Sequence, residues 1–133
     1  MSTKEKIKIL LVDDHKLIRE GIKAMLGTTS EIEIIDSVAS GEEAINSVRE
    51  NKPDLILMDI MMGGMTGIEA TWWIKEYDAT INIILLTQEI SKEYVSAGIK
   101  SGIQGYLPKD VDKETLMTAI HTVQNGGRFL LYE

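Results

Sequence analysis

Five short apolar runs, each stopped by a polar residue and each followed by residues at helical spacing, constrain this chain more than any other feature. Ile7–Val12 reads as a buried strand stopped by Asp13 and Asp14. Leu17, Ile18, Gly21, Ile22, Met25 and Leu26 follow at helical spacing, and Gly27 stands at the C-cap. Ile32–Val38 alternates like an edge strand, with Ile32, Ile34 and Val38 separated by Glu33 and Asp36. Ser40 and Glu43 form a capping box before Ala44, Ile45 and Val48, and Pro53 closes that helix. Leu55–Met58 is a third strand stopped by Asp59, and Thr66 with Glu69 opens a helix running to about Tyr77. Ile83–Leu86 ends at Thr87, Ser91 caps a helix over Lys92–Ser101, and Gly105–Leu107 ends before Lys109. The last helix carries Leu116, Ala119, Ile120 and Val123 on one stripe, with Gly126-Gly127 as its stop.

Strands alternating with helices predict a parallel sheet covered on both faces, with right-handed crossovers. The 133 residues suit one domain and bury about two thirds of the unfolded chain's surface. No repeat, low-complexity tract or internal linker interrupts the five βα units. The chain has no cysteine, which excludes a disulfide scaffold, a cysteine nucleophile and thiolate metal ligation. A net charge of −7 opposes direct binding to a nucleic acid backbone. No apolar run approaches the ~20 residues that cross a bilayer, and Met1–Lys6 lacks a signal peptide's apolar core. A cytoplasmic domain that does not engage a membrane is the expectation.

Chemistry in such sheets gathers beyond the carboxyl ends of the strands. Asp13, Asp14, Asp59, Thr87 and Lys109 all fall there. Each has a plainer use: an aspartate pair caps a helix, an aspartate precedes a turn, a lone lysine is solvated. Together on separate strand ends they point to a site. Clustered carboxylates repel and require a cation, and Mg²⁺ suits oxygen ligands completed by water and phosphate. Asp59 then acts as a nucleophile toward a phosphoryl group, with Thr87 and Lys109 completing the donors around its oxygens. His15 reads as a helix N-terminal residue, and His121 lies too far along the last helix to take part.

Val12-Asp13-Asp14-His15, Leu57-Met58-Asp59-Ile60, Leu86-Thr87 and Tyr106-Leu107-Pro108-Lys109-Asp110 resemble the receiver domain of two-component response regulators. The resemblance spans essentially residues 1–133, with 1–6 as an N-terminal extension and 127–133 as the start of a linker. "DDHKLIREGIKAML", "GIEAT" and "GYLPKD" further resemble receivers of the NarL/FixJ (LuxR-type) class. It implies a flavodoxin-like (βα)5 fold, a doubly wound five-stranded sheet of order 2-1-3-4-5. It also implies Asp59 as phosphoacceptor, and Asp13, Asp14, Asp59 and the Met61 main-chain carbonyl around Mg²⁺ or Mn²⁺. Thr87 and Lys109 would bind the phosphoryl group, and Tyr106 would switch with Thr87. The implied partners are a sensor histidine kinase and a second copy on phosphorylation. DNA would be reached only through a helix-turn-helix domain absent from this sequence. The change would be read on the fourth helix, fifth strand and fifth helix.

Three positions depart from the family pattern: Gly63 replaces a usual proline, Gln88 a small residue, and Pro108 precedes the lysine. Gly98 has two readings, a loosely held helix or close helix packing. Trp72-Trp73 cannot both point inward from a helix that buries Ala70, Thr71 and Ile74. Other functions fit less well. A pseudo-receiver that only binds a partner would not need all five site residues. A Mg-dependent phosphatase with an aspartate nucleophile would want a second aspartate where Met61 stands, and a flavin binder would meet repulsion at Asp13-Asp14.

Overall fold

The computed structural model describes residues 5–131. The elements run β1 (Ile7–Val12), α1 (Lys16–Leu26), β2 (Ile32–Val38), α2 (Gly41–Glu50), β3 (Leu55–Asp59) and α3 (Gly67–Tyr77). They continue as β4 (Asn82–Thr87), α4 (Lys92–Ser101), β5 (Gly105–Pro108), α5 (Lys113–Gln124) and β6 (Phe129–Leu130). All strand pairs are parallel, in the order β2-β1-β3-β4-β5-β6.

Alternation along the strands sorts two cores onto opposite faces. Leu10, Val12, Ile56, Met58, Ile83, Leu85 and Tyr106 meet Ala44, Val48, Ala70, Ile74 and Val95 from α2, α3 and α4. Ile9, Leu11, Leu55, Leu57, Ile84, Leu86 and Leu107 meet Leu26, Leu116, Ala119, Ile120 and Val123 from α1 and α5. Each leucine, isoleucine, valine or methionine fully buried there contributes about 1.5–3 kcal/mol. β1 and β3 are therefore apolar on both faces, whereas the edge strand β2 is only partly buried. The register of β1 against β2 shifts between Ile9 and Leu10, which pair with Ile34 and Asp36 and leave Ile35 as a bulge.

The sheet has six strands rather than the expected five. Phe129 N–H donates to the Gln104 carbonyl at 2.9 Å, and Leu131 N–H to the Tyr106 carbonyl at 2.8 Å. The chain leaves α5 through Gly126, at φ +92°, and returns along the free edge of β5, satisfying groups otherwise exposed there. Part of the expected linker is thus sheet. Tyr132 and Glu133 of that segment, and Met1–Lys4 of the expected extension, lie outside the described residues.

The caps explain most helix boundaries. Thr66 and Glu69 complete a reciprocal capping box on α3. On α2, Ser40 accepts from Glu43 N–H, but the Glu43 carboxylate reaches one residue further back, to Ala39 N–H at 2.8 Å. Gly27 caps α1 in a right-handed conformation, so no left-handed turn required glycine there. α2 ends at Glu50, three residues before Pro53. At Gly98 packing accounts for the residue: an added Cβ would stand 2.7 Å from Ile103 Cδ1 and 3.2 Å from Leu85 Cδ1. Both Trp72 and Trp73 are exposed, their rings edge to face at 4.9 Å between centroids.

Gly67 is where α3 touches the site. Its N–H donates to the Ile60 carbonyl at 2.8 Å, and a Cβ there would stand 2.1 Å from the Asp59 carbonyl oxygen. The obstacle is backbone and cannot rotate away. Gly67→Ala is expected to lower stability in urea unfolding by about 1–3 kcal/mol. An unchanged midpoint would show that α3 can shift without cost.

Candidate functional site

Strand register brings the polar residues to one edge. Val12 pairs with Met58, Asp59 with Leu86, and Thr87 with Pro108, so β1, β3, β4 and β5 end at one level. The residues at or just beyond those ends are Asp13, Asp59, Thr87 and Lys109.

Two of the three aspartates are buried. Asp13 and Asp59 are each 3% exposed, whereas Asp14 lies open. Lys109 Nζ sits 3.0 Å from Asp13 Oδ2 and 3.0 Å from Asp59 Oδ2, bridging β1 and β3 from the end of β5. Lys109 is aimed by its main chain, whose N–H donates to the Thr87 carbonyl at 2.8 Å. The ammonium faces both oxygens as a shared counter-charge, and neither buried oxygen has any other partner among the described residues. Burial pushes the Asp59 carboxyl pKa up; the Lys109 contact opposes this and the Asp13 charge adds to it. Burial pulls the Lys109 ammonium down, but the two carboxylates outweigh it and its pKa is raised.

Asp13 is held from several sides. Its N–H donates to the Val38 carbonyl at 3.1 Å, and its Oδ1 accepts from the His15 N–H at 2.8 Å. Arg19 donates to the Asp13 carbonyl at 2.6 Å and to Ser37 Oγ at 2.9 Å, tying the end of β1 to β2. His15 Nδ1 lies 3.0 Å from Asp13 Oδ1 and 3.1 Å from Asp14 Oδ1. The ligand atoms of Asp13, Asp14, His15 and Asp59 all lie within 4.8 Å of one another.

Asp59, Thr87 and Lys109 line an open pocket of about 230 Å³, together with Met61, Gln88 and Tyr94. The Thr87 hydroxyl donates to the Glu89 carbonyl at 2.7 Å and accepts from Glu89 N–H at 3.2 Å. Tyr106 is fully buried, its hydroxyl accepting from Ser91 N–H at 3.4 Å, so the aromatic already occupies the interior position. Met61 is exposed, and its sulfur accepts from the Tyr94 hydroxyl at 3.4 Å across the pocket mouth. Gln88 is exposed on the rim. Gly64 in the loop beyond Asp59 adopts φ +83°, which glycine alone takes without strain.

Asp13, Asp14, Asp59 and Lys109, all expected from the sequence, are brought together, with Thr87 in the same pocket. Sequence reasoning missed Arg19, whose contacts are long-range, and the part His15 takes in the acidic cluster. The His15 signal was its position directly after the aspartate pair. His121 pairs with Glu31 at 2.8 Å and takes no part.

A parallel sheet of this order, with an acidic cluster and a lysine at its carboxyl edge, defines a receiver-type α/β domain. Residues 9–121 match the response regulator receiver domain, and the chain belongs to that family. It is 40% identical over 120 residues to the response regulator protein VraR of Staphylococcus aureus, covering 90% of this chain and 57% of that protein. Among solved structures it resembles a LuxR-family two-component response regulator from Aurantimonas sp. SI85-9A1. The TM-score there is 0.89 at 30% identity, over 96% of this chain and 91% of the other. The receiver domain of the putative response regulator NarL from Mycobacterium tuberculosis shares the fold, with a TM-score of 0.87 at 24% identity, over 92% and 98%. Together these place the chain with NarL/FixJ-type receivers. Among the described residues no helix is long and apolar enough to cross a membrane.

The raised pKa of Asp59 has a consequence for stability. Its folded value lies above the ordinary 3.8, so its contribution is fully present below that value and is lost as pH rises through the raised one. In metal-free buffer at pH 7, Asp59→Asn is expected to melt several degrees above the parent, with the gap closing below pH 4. A lower melting temperature at pH 7 would mean that the carboxylate is a net stabiliser.

Proposed function

We propose that this chain is a phosphoryl-accepting switch, with Asp59 taking a phosphoryl group from a sensor histidine kinase. The observation that carries this reading is a buried carboxylate at a central strand end, its Oδ2 without a hydrogen bond and 3.0 Å from Lys109, at the wall of an open pocket. Asp13, Asp14, Asp59 and the Met61 main-chain carbonyl would hold Mg²⁺ or Mn²⁺. The two buried oxygens lacking a hydrogen bond suit such an ion. When bound, the cation supplies positive charge against the oxygens of the transferring group.

An Asp59 carboxylate oxygen attacks phosphorus as the phosphorus–nitrogen bond of a phosphohistidine breaks, and the electron pair leaves with the imidazole. Lys109 offsets the charge on the phosphoryl oxygens. The Thr87 hydroxyl turns from the Glu89 carbonyl to donate to one of them, and Tyr106, already buried beneath, is the proposed switch partner that responds to the space Thr87 leaves. The new charge would be read on α4, β5 and α5. The chain spans 57% of the curated relative's length, so its output is a further proposal: a helix-turn-helix domain that binds DNA, with a second copy joining on phosphorylation. The expected setting is the cytoplasm.

Incubation with acetyl phosphate and Mg²⁺ tests this reading by intact mass. The parent is expected to gain one phosphoryl group, and Asp59→Asn or the parent in EDTA none. A parent that gains nothing, or a group on another residue, would overturn it.

A further inference from the structure

His15 turns its ring to the acidic pair, with Nδ1 within hydrogen-bonding distance of Asp13 Oδ1 at 3.0 Å. It occupies the N-cap of α1, yet its side chain makes no cap hydrogen bond. Its main-chain N–H already holds Asp13 Oδ1 at 2.8 Å, fixing the residue beside the acidic pair. The side chain is 58% exposed and Nδ1 is turned onto the carboxylates, 3.0 Å from Asp13 Oδ1 and 3.1 Å from Asp14 Oδ1. Adjacent ligand atoms around an ion with bonds of about 2.1 Å stand roughly 3 Å apart. The imidazole nitrogen therefore has the spacing of a ligand sharing an ion with both aspartates. Independently, Asp13 Oδ2 and Asp59 Oδ2 are buried, belong to side chains 5% and 3% exposed, and lack hydrogen-bond partners, with Lys109 Nζ shared between them as a counter-charge at 3.0 Å from each.

We propose that His15 is a further ligand of this cation site, and that its nitrogen makes the site prefer borderline first-row dications such as Co²⁺, Ni²⁺ and Zn²⁺ over Mg²⁺. The inference rests on the reading that Asp13, Asp14 and Asp59 hold a dication. Mg²⁺ takes oxygen ligands and keeps several waters, so it gains nothing from an imidazole that water cannot supply. Imidazole suits Co²⁺, Ni²⁺ and Zn²⁺, whose affinities for mixed nitrogen and oxygen sites rise along the first row to copper. The sequence Asp13-Asp14-His15 thus carries two kinds of ligand on three consecutive residues. The oxygens serve either class of ion, and the nitrogen only the softer one.

Calorimetric titration with Ni²⁺ and separately with Mg²⁺, on the parent, His15→Ala and His121→Ala, tests the assignment. His15→Ala is expected to weaken Ni²⁺ binding about tenfold or more while Mg²⁺ affinity stays within about twofold, which also shows that the variant is folded. His121→Ala is expected to change neither. In the parent, the paramagnetic Ni²⁺ is expected to broaden the His15 ring resonances before those of His121. Unchanged Ni²⁺ affinity in His15→Ala, equal loss of both metals, or loss in His121→Ala would overturn the role of His15. If Mg²⁺ binding persists in those cases, the phosphoryl-accepting reading stands without it; if the parent binds neither ion, both fall.

Discussion

The contact of one ammonium with two buried carboxylates holds the site together. Strand ends at one level force Asp13 and Asp59 toward each other, and neither can retreat without breaking the register of β1 against β3. Lys109, arriving from β5, stands 3.0 Å from both. Removing the shared ammonium leaves both buried carboxylates uncompensated, which costs more than the intact contact contributes. Two carboxylates against one lysine leave negative charge in excess, and the proposed binding of a cation and a phosphoryl group rests on that excess.

The remainder of the fold serves this placement. Two apolar cores clamp the sheet from opposite faces, so the strand ends that carry the site are held from both sides. Arg19 ties Asp13 to the edge strand, Gly67 lets α3 close against the Asp59 carbonyl, and the Thr87 carbonyl aims Lys109. Tyr94 reaches from α4 to Met61 over the pocket mouth, so that helix is already in touch with the loop after Asp59.

Most of this was legible in the sequence because βα alternation is a strong signal and the site residues stop the strands. Five helices and five strands fell within a residue or two of expectation, and Asp13, Asp14, Asp59, Thr87 and Lys109 met where strand ends meet. What escaped was non-local. β6 is two residues long, with no periodicity to read, and exists because β5 offers an open edge. Arg19 looked like any polar residue on an amphipathic helix until the fold brought Ser37 beside it. The packing around Gly98 depends on Ile103 and Leu85, which no helical pattern connects to it.

Lys109→Met tests most directly whether the site stands on charge compensation, since it keeps the side chain's bulk and removes only its charge. Chemical unfolding in EDTA and in saturating Mg²⁺ is the measurement. In EDTA the variant is expected to lose about 3–5 kcal/mol relative to the parent, and Mg²⁺ is expected to restore more to the variant than it adds to the parent. A variant as stable as the parent in EDTA would contradict the central role of the Asp13–Lys109–Asp59 contact.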